Sequence, residues 1–206
     1  MKPRVAPVRL ASVVRTLPRR GHDLSRATVR ASQRWRLLEG MLEATAKHGY
    51  AGASVAHVIA HAGVSRKAFY EHFADKEDCF LAAYHVVSER VLADLIAAGT
   101  KRTSRAARRR DYVLGFLTAL EVNLAVARVF MVDVLGAGPR ALARRDDLNH
   151  RFADGLFGDE DVDAVHRLAV IGGVNAVVAS ELLRPAPRLA ALGPSLAAFV
   201  EAALKR

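Results

Sequence analysis

Cysteine is nearly absent from this chain, which contains one among its 206 residues. The single thiol, Cys79, excludes a disulfide within the chain and is typical of a protein in a reducing compartment. The sequence therefore predicts a cytoplasmic protein in which Cys79 is a buried structural residue rather than a redox sensor.

Long hydrophobic runs are missing as well. The longest stretch without a charged residue, near 168–180, contains glycines and is shorter than the roughly 20 residues that a membrane-spanning helix needs. No hydrophobic core of a secretory signal occurs near the N-terminus. We therefore expect no membrane association.

The chain also lacks the sequence signatures of catalysis. It has no glycine-rich phosphate loop, no nucleophile elbow and no zinc-hydrolase signature. His57 and His61 have the i, i+4 spacing at which two ligands share a helix face, but no cysteine or glutamate nearby completes a metal site. The sequence therefore predicts neither an enzyme nor a metal or cofactor site.

Strand patterns are absent too, since no segment alternates polar and apolar residues convincingly. Helical periodicity covers the chain after residue 76, with breaks at glycine and proline. The predicted helical segments are 76–99, 105–136, 140–156, 161–184 and 194–205. These patterns predict an all-α protein.

What the chain does contain is a helix-turn-helix pattern that runs from Ser54 to Phe73. Ser54 is a suitable N-cap for a first helix, Gly63 ends that helix, and Ser65 caps a second helix. Phe69 and Phe73 lie four residues apart and are predicted to face inward. The residues predicted to face outward are Arg66, Lys67, Tyr70 and His72. A short helix with donors on its outer face fits the major groove of DNA, so the pattern predicts a DNA-binding motif.

The flanking residues, 37–55 and 74–84, narrow this pattern to one family. The order is an apolar helix, a Gly-Tyr turn, a serine cap, an Ala-Gly-Val-Ser turn, Phe-Tyr-x-His-Phe and then Lys-Glu. Over about residues 32–84 this order closely resembles the N-terminal domain of the tetracycline-repressor (TetR) family of bacterial transcription regulators.

The resemblance implies an architecture and a function. We expect an N-terminal three-helix helix-turn-helix domain at 31–80 and a C-terminal helical domain for effector binding and dimerisation at 81–206. The implied function is a ligand-responsive repressor that binds a palindromic operator as a homodimer. The alternative is an architectural DNA-binding protein without small-molecule control.

Candidate DNA contacts follow from the family pattern, position by position. The candidates for base edges are Ser65, Arg66, Lys67 and Ala68. The candidates for phosphates are Ser54, Tyr70, His72 and Lys76. Lys67 departs from the pattern, which often has glycine there, and it places a second long cation beside Arg66.

The charge distribution independently favours a nucleic-acid partner. Residues 1–76 hold 14 cations and 5 anions, whereas residues 77–206 hold 17 and 16, so nearly all the excess lies on the predicted DNA-binding part. Residues 1–30 are rich in arginine and proline without helical periodicity, and they are predicted to form a largely disordered basic arm. This arm is either a phosphate or minor-groove contact or an idle solvated tail.

The dimer prediction rests on the segment 161–184, which is apolar on most sides and must therefore be buried. Together with 195–204 it is suited to form half of an intersubunit four-helix bundle, and core packing within one chain is the alternative. The candidate interface residues are Gly172, Gly173, Ala176, Ala179, Phe199 and Val200.

The resemblance also implies a small-molecule pocket among the C-terminal helices. The candidate lining residues are Phe116, Leu120, Asn123, Phe130, Asp133, Phe152 and His166, and an ordinary core position is the alternative for each of them. This domain contains phenylalanine and methionine but no tryptophan, and this composition suggests an apolar or acyl-type ligand. A cationic cluster in the same domain is interpreted as a solvated helix face and comprises Arg105, Arg108, Arg109 and Arg110.

Overall fold

The computed structural model describes residues 25–99 and 104–204, and this part of the chain is helical with no strand. The helices are α1 Arg26–Gly52, α2 Val55–Ala62, α3 Arg66–His72, α4 Lys76–Gly99, α5 Arg105–Glu121, α6 Leu124–Met131, α7 Pro139–Phe157, α8 Ala164–Leu182 and α9 Gly193–Ala202. Two short 3-10 turns, Asp133–Gly136 and Leu189–Leu192, precede α7 and α9. The predicted all-α class is therefore confirmed.

The chain divides into two compact units within α4, after Val87. The N-terminal domain contains α1, α2, α3 and the first part of α4. The C-terminal domain contains the remainder of α4 and α5 to α9.

The N-terminal domain is built on a close crossing of α1 and α2. Leu37, Leu38 and Met41 bury the inner face of α1, and Val58 buries that of α2. Gly40 allows the approach, because a Cβ at that position would lie 2.6 Å from the Val58 carbonyl oxygen. The two helices are therefore held at backbone contact distance.

The start of α1 differs from the sequence prediction. Residues 26–30 were assigned to a disordered arm, but α1 begins at Arg26, and the hydroxyl of Ser25 caps it by accepting from the Thr28 amide at 3.1 Å. Within this first part of α1, Arg30 also donates to the Glu71 carbonyl oxygen of α3, a contact that the sequence spacing does not reveal. The rest of the predicted arm, residues 1–24, lies outside the described residues.

Cys79 is buried in this domain, as the sequence predicted. Burial raises the pKa of its thiol to about 12, and the nearby Asp78 acts in the same direction. The side chain is therefore a protonated core thiol, which donates weakly to the Leu37 carbonyl oxygen at 3.7 Å.

The C-terminal domain contains a sharp bend where one continuous helix, 105–136, was expected. Asn123 caps α6 by accepting from the Val126 amide at 3.1 Å, and the helix direction bends by 113° from α5 to α6. An asparagine side chain competes well for backbone donors, and here it ends one helix and begins the next. The bend folds α6 against α8, where Phe130 is buried.

Helix α8 is the central apolar element of this domain. It begins at Ala164, where the Asp163 carboxylate accepts from the His166 amide at 2.9 Å. By length and composition it could cross a membrane. Its inner face, with Val170, Val174 and Val178, instead packs into the C-terminal core.

Candidate nucleic-acid interface and C-terminal surfaces

The turn between α2 and α3 is fixed by two serine caps and one glycine. The Ser54 hydroxyl accepts from the His57 amide at 3.2 Å, and the Ser65 hydroxyl accepts from the Ala68 amide at 3.1 Å. Gly63 ends α2 in the left-handed region at φ 61°, which L side chains rarely adopt. These local interactions orient α3 relative to α2.

Helix α3 has one buried side and one exposed side. Phe69 is fully buried and packs against Phe73, with the ring centroids 5.9 Å apart. On the outer side, Arg66 and Lys67 are exposed, and Tyr70 is 52% exposed. Helix α3 is therefore anchored to the domain by its buried aromatic side, while two cations and a phenol extend from its exposed side.

Ala68 requires a correction. It was expected to meet base edges, but only 8% of its surface is exposed, because its side chain faces the domain interior beside Phe69. The methyl group of Ala68 therefore belongs to the core of the motif.

Lys76 has a different partner from the one expected. Its ammonium donates to the carbonyl oxygens of Tyr50 at 2.8 Å and Ala53 at 3.0 Å, and it lies 4.3 Å from the centre of the Tyr50 ring. The end of α1 presents unpaired carbonyl groups, and a cation is the natural partner for them. Lys76 therefore ties α4 to the end of α1.

His72 is half-buried and faces α1. Its Nε2 lies 3.5 Å from the Gln33 side-chain oxygen. Burial lowers the pKa of His72, and the charges of Arg30 and Arg34 lower it further. The ring is therefore neutral at pH 7 and offers a hydrogen bond rather than a charge.

The first turns of α1 brace the motif, a role that the sequence analysis did not identify. Arg30 donates to the Glu71 carbonyl oxygen at 3.3 Å, and Arg36 donates to the Gly63 carbonyl oxygen at the same distance. Arg34 lies 4.7 Å above the Phe73 ring. The i, i+4 spacing of Arg26, Arg30 and Arg34 was the available signal, but it does not identify the partner helix.

A further contact of this domain joins the C-terminal part of α1 to the first turn of α2. The rings of His48 and His57 stack with centroids 4.2 Å apart. Partial desolvation lowers the pKa of His48, as do His57, Lys47 and His61. The described residues contain no group of three or more histidine, cysteine or acidic side chains that could hold a metal ion.

An apolar stripe lies exposed along α8, as the dimer prediction requires. Its exposed members, spaced by three or four residues, are Val165, Ala169, Gly172, Ala176, Ser180 and Leu183. Phe199 of α9 is 42% exposed, and its ring lies against Gly173, where a Cβ would be 3.0 Å away.

Two of the candidate interface residues are less accessible. Ala179 is half-buried, and Val200 is only 1% exposed because it faces the domain core. Val200 is therefore a core residue rather than part of the exposed stripe.

None of the seven candidate pocket residues lines the cleft described below. Phe116 and Phe152 pack edge to face at 5.4 Å, while Leu120 and Phe130 are buried in the core. Asn123 is exposed and serves as the cap of α6, because its side chain is committed to a backbone amide. These positions are thus core and capping positions.

The other two candidates, Asp133 and His166, lie at helix starts. Asp133 begins a 3-10 turn, and burial raises its pKa, against the opposing effect of Arg128. His166 is half-buried in the first turn of α8. Neither residue reaches the cavity described below.

The cationic cluster on α5 also requires a correction. Arg109 is 6% exposed, and it donates to Glu160 at 2.5 Å and, through two nitrogens, to Glu201 at 2.7 Å. Arg105 pairs with Asp159 at 3.4 Å. The predicted solvated face therefore contains a buried ionic cluster. This cluster joins α5 both to α9 and to the segment that precedes α8.

A cleft of about 450 Å³ opens in the C-terminal domain between α4, α5 and α7. It is lined by Leu92, Leu95, Ile96, Arg108, Tyr112, Arg151, Asp154, Gly155 and Gly158. None of these residues was predicted to line a pocket, because they come from three helices whose mutual placement the sequence does not state. A size of this order is typical of small-molecule sites.

Comparison with known proteins agrees with the geometry of the N-terminal domain. Residues 37–83 match the sequence model described as "Bacterial regulatory proteins, tetR family". The chain is also similar to the HTH-type transcriptional repressor AcnR of Corynebacterium diphtheriae, with 46% identity over 50 residues. That similarity covers 24% of this chain, and the chain spans only about a quarter (26%) of the length of the relative.

Solved structures extend the likeness to the whole fold. The fatty acid degradation regulator FadR from Bacillus halodurans has a TM-score of 0.72 at 17% identity, covering 82% of this chain and 98% of that one. FadR from Bacillus subtilis, solved in complex with stearoyl-CoA, has a TM-score of 0.73 at 15% identity with the same coverage. Such identities establish the fold alone. The family match itself is confined to residues 37–83, so it is the capped helix-turn-helix domain that is similar to the tetR family of bacterial regulatory proteins.

Proposed function

We propose that this protein is a sequence-specific DNA-binding transcription regulator, most simply a repressor. The observation that carries the proposal is the exposed side of α3. There Arg66 and Lys67 follow the Ser65 cap, and Tyr70 extends one turn later. Long donors at the start of a braced helix are suited to base edges in the major groove.

The proposed contacts divide into two groups. Ser65, Arg66 and Lys67 read base edges from the first turn of α3. Ser54, Tyr70 and His72 contact phosphates and fix the position of the protein on the duplex. Lys76 is left out because its ammonium already serves two backbone carbonyl groups.

We propose that the active form is a homodimer. One α3 reads only a few base pairs, and two-fold symmetry extends the site to a palindrome with half-site centres about 34–36 Å apart. The apolar stripe of α8 and the exposed ring of Phe199 support an isologous helical interface. Small residues such as Gly172 allow two such helices to approach closely.

We further propose cytoplasmic location and control by a small molecule bound to the C-terminal domain. The stearoyl-CoA complex of the similarly folded Bacillus subtilis FadR supports this form of control. The description of the AcnR relative as a repressor supports repression rather than activation. The match of residues 37–83 to a family of regulatory proteins favours a regulator over an enzyme.

The test is binding to labelled DNA from the protein's own upstream intergenic region, followed by anisotropy across a salt series with scrambled DNA as the control. We expect tighter binding to the specific duplex, a stoichiometry of two protomers, and an affinity that falls steeply with salt as several phosphates are neutralised. Equal affinity for scrambled DNA would point to an architectural binder. Absence of binding at low salt would refute the proposal.

A further inference from the structure

The cleft of the C-terminal domain combines an apolar wall with a weakly compensated cation. Leu92 and Leu95 are each 3% exposed and form its floor, whereas Ile96 is 46% exposed and lies at the rim. Leu92, Leu95 and Ile96 all belong to α4. Hydrocarbon seated against them would be removed from water, which is the main source of affinity for apolar ligands.

Arg108 is the cation that lacks a close partner. Its Nη2 lies 3.5 Å from the Phe157 carbonyl oxygen and 3.6 Å from the Glu160 carboxylate, and both distances are at the outer limit of an interaction. Its Nε is buried and has no hydrogen-bond partner among the described residues. Glu160 is committed to Arg109 at 2.5 Å, so it compensates Arg108 poorly.

The other cation at the cleft, Arg151, is held by Glu89 through two hydrogen bonds. The carboxylate at the cleft, Asp154, is exposed and lies 3.6 Å from Arg167, no closer than Arg108 lies to Glu160. Arg108 is therefore the group whose charge is left to attract an anion.

Two glycines of the α7 end make room for the polar side of the cleft. A Cβ at Gly155 would lie 2.5 Å from the Tyr112 hydroxyl, and one at Gly158 would lie 3.0 Å from Arg108 Nη2. The Tyr112 hydroxyl is also buried without a hydrogen-bond partner among the described residues. An unsatisfied donor in a buried site costs free energy that an incoming acceptor can recover.

We propose that this cleft binds a medium-chain carboxylate, with its hydrocarbon chain against Leu92, Leu95 and Ile96 and its carboxylate on the Arg108 guanidinium. An arginine and a carboxylate form charge-assisted hydrogen bonds that are stronger than neutral ones. Tyr112 lies beside the same site, and burial followed by the charge of Asp154 raises the pKa of its phenol, which keeps it a proton donor. As an effector site, the cleft rests on the proposed regulatory function.

The direct test is calorimetric titration of the full-length protein, without DNA, with three probes of equal chain length: decanoate, methyl decanoate and decylammonium. We expect decanoate to bind best, the uncharged ester at least about fivefold more weakly, and the ammonium weakest, since it brings a cation and no acceptor. Equal binding of all three probes, or preferred binding of decylammonium, would overturn the proposal.

Variants locate the site. Arg108→Gln should weaken decanoate binding by about tenfold or more, the range expected for a charged hydrogen bond, while leaving methyl decanoate little changed. Arg110→Gln is the matched control, because Arg110 is exposed on the same helix and does not line the cleft. An equal loss in both variants, or no loss in Arg108→Gln, would contradict the assignment.

A second pair of variants tests the apolar wall without touching the charge. Ile96→Trp should fill the mouth and weaken all probes, whereas Leu142→Trp alters an equally exposed leucine (44%) on α7 away from the cleft and should not. Unchanged decanoate binding in a folded Ile96→Trp protein would refute the site.

DNA anisotropy with and without decanoate then separates the two proposals. Calorimetric binding without any change in DNA affinity would support the cleft and remove its role as an effector site. Binding to DNA with no calorimetric signal for decanoate would refute the cleft while leaving the DNA-binding function intact.

Discussion

The ammonium of Lys76 lies 2.8 Å from the carbonyl oxygen of Tyr50, so the first residue of α4 closes the end of α1. A second hydrogen bond to Ala53 and the face of the Tyr50 ring complete its surroundings. This arrangement makes Lys76 a structural cation, in contrast to the exposed Arg66 and Lys67 of α3.

The first prediction separates these two roles. Lys76→Met should destabilise the N-terminal domain by about 1–3 kcal/mol, because the carbonyl groups lose a charged donor, and should leave the salt dependence of DNA binding unchanged. Unfolding in urea followed by fluorescence of Trp35, the single tryptophan of the chain, reports on this domain.

Lys67→Ala is the matched comparison, because Lys67 is exposed on α3. It should leave stability within about 0.5 kcal/mol of the parent and change the preferred operator sequence. If Lys76→Met instead reduced the salt slope by about one unit with no loss of stability, Lys76 would be a phosphate contact after all.

The second prediction concerns the proposed dimer. Gly172 is exposed in the middle of α8, and a Cβ there would meet nothing within 4 Å. Gly172→Arg should therefore preserve the fold of each protomer while blocking close approach of a second copy. We expect a monomer in sedimentation equilibrium at concentrations where the parent is a dimer, and weaker binding to a palindromic operator.

Gly136 provides the control for this substitution, because a Cβ at that position also meets nothing within 4 Å and it lies outside α8 and α9. Gly136→Arg should leave the dimer intact. A dimer that survives Gly172→Arg would place the interface elsewhere.

The third prediction addresses the buried ionic cluster. Arg109→Met removes the cation that lies 2.5 Å from the Glu160 carboxylate and 2.7 Å from that of Glu201. Because Glu201 is still partly exposed, we expect a loss at the lower end of the usual range, about 3 kcal/mol of unfolding free energy. Chemical unfolding followed by circular dichroism measures it.

Removing the charges together provides the complementary test. Adding Glu160→Gln and Glu201→Gln to Arg109→Met should restore most of the lost stability, since the two carboxylates that Arg109 neutralised are removed with it. A triple variant as unstable as the single one would show that packing of the arginine chain, rather than its charge, matters.

The fourth prediction concerns acid stability. The pKa of His72 is lowered, so the native protein binds this proton less readily than the unfolded chain. The resulting stability is complete above the ordinary histidine pKa of about 6.5 and declines as the pH falls through that value toward the lowered native pKa. Urea unfolding followed by Trp35 fluorescence should therefore show a smaller loss between about pH 7.5 and about pH 5.5 in His72→Asn than in the parent. An identical loss in both proteins would show that other groups control acid unfolding.

Local chemistry explains why the helix-turn-helix could be predicted. Each serine hydroxyl accepts from an amide three residues away. Gly63 ends α2 in the left-handed region, which depends only on the conformational freedom of glycine itself. Such interactions are written in consecutive residues, so the sequence located both helices and the outward positions of Arg66 and Lys67. The alternation of buried and exposed positions along α8 follows from helical periodicity in the same way.

Errors arose where a residue's partner is distant in the chain. The sequence pattern predicted that Arg109 is one of four surface cations. Its partners Glu160 and Glu201 lie 51 and 92 positions away along the chain. Asn123 is an exception, because the Val126 amide that its side chain caps lies only three residues away.

The sequence by itself thus determined the helical class, the motif that places α3, and the concentration of positive charge near it, because caps, periodicity and composition are local properties. Tertiary structure decided the roles of Lys76 and Arg109 and brought Leu92, Arg108 and Gly155 to one cleft. Charge pairing and cavity shape depend on distances between helices, and those distances are fixed only when the chain has packed.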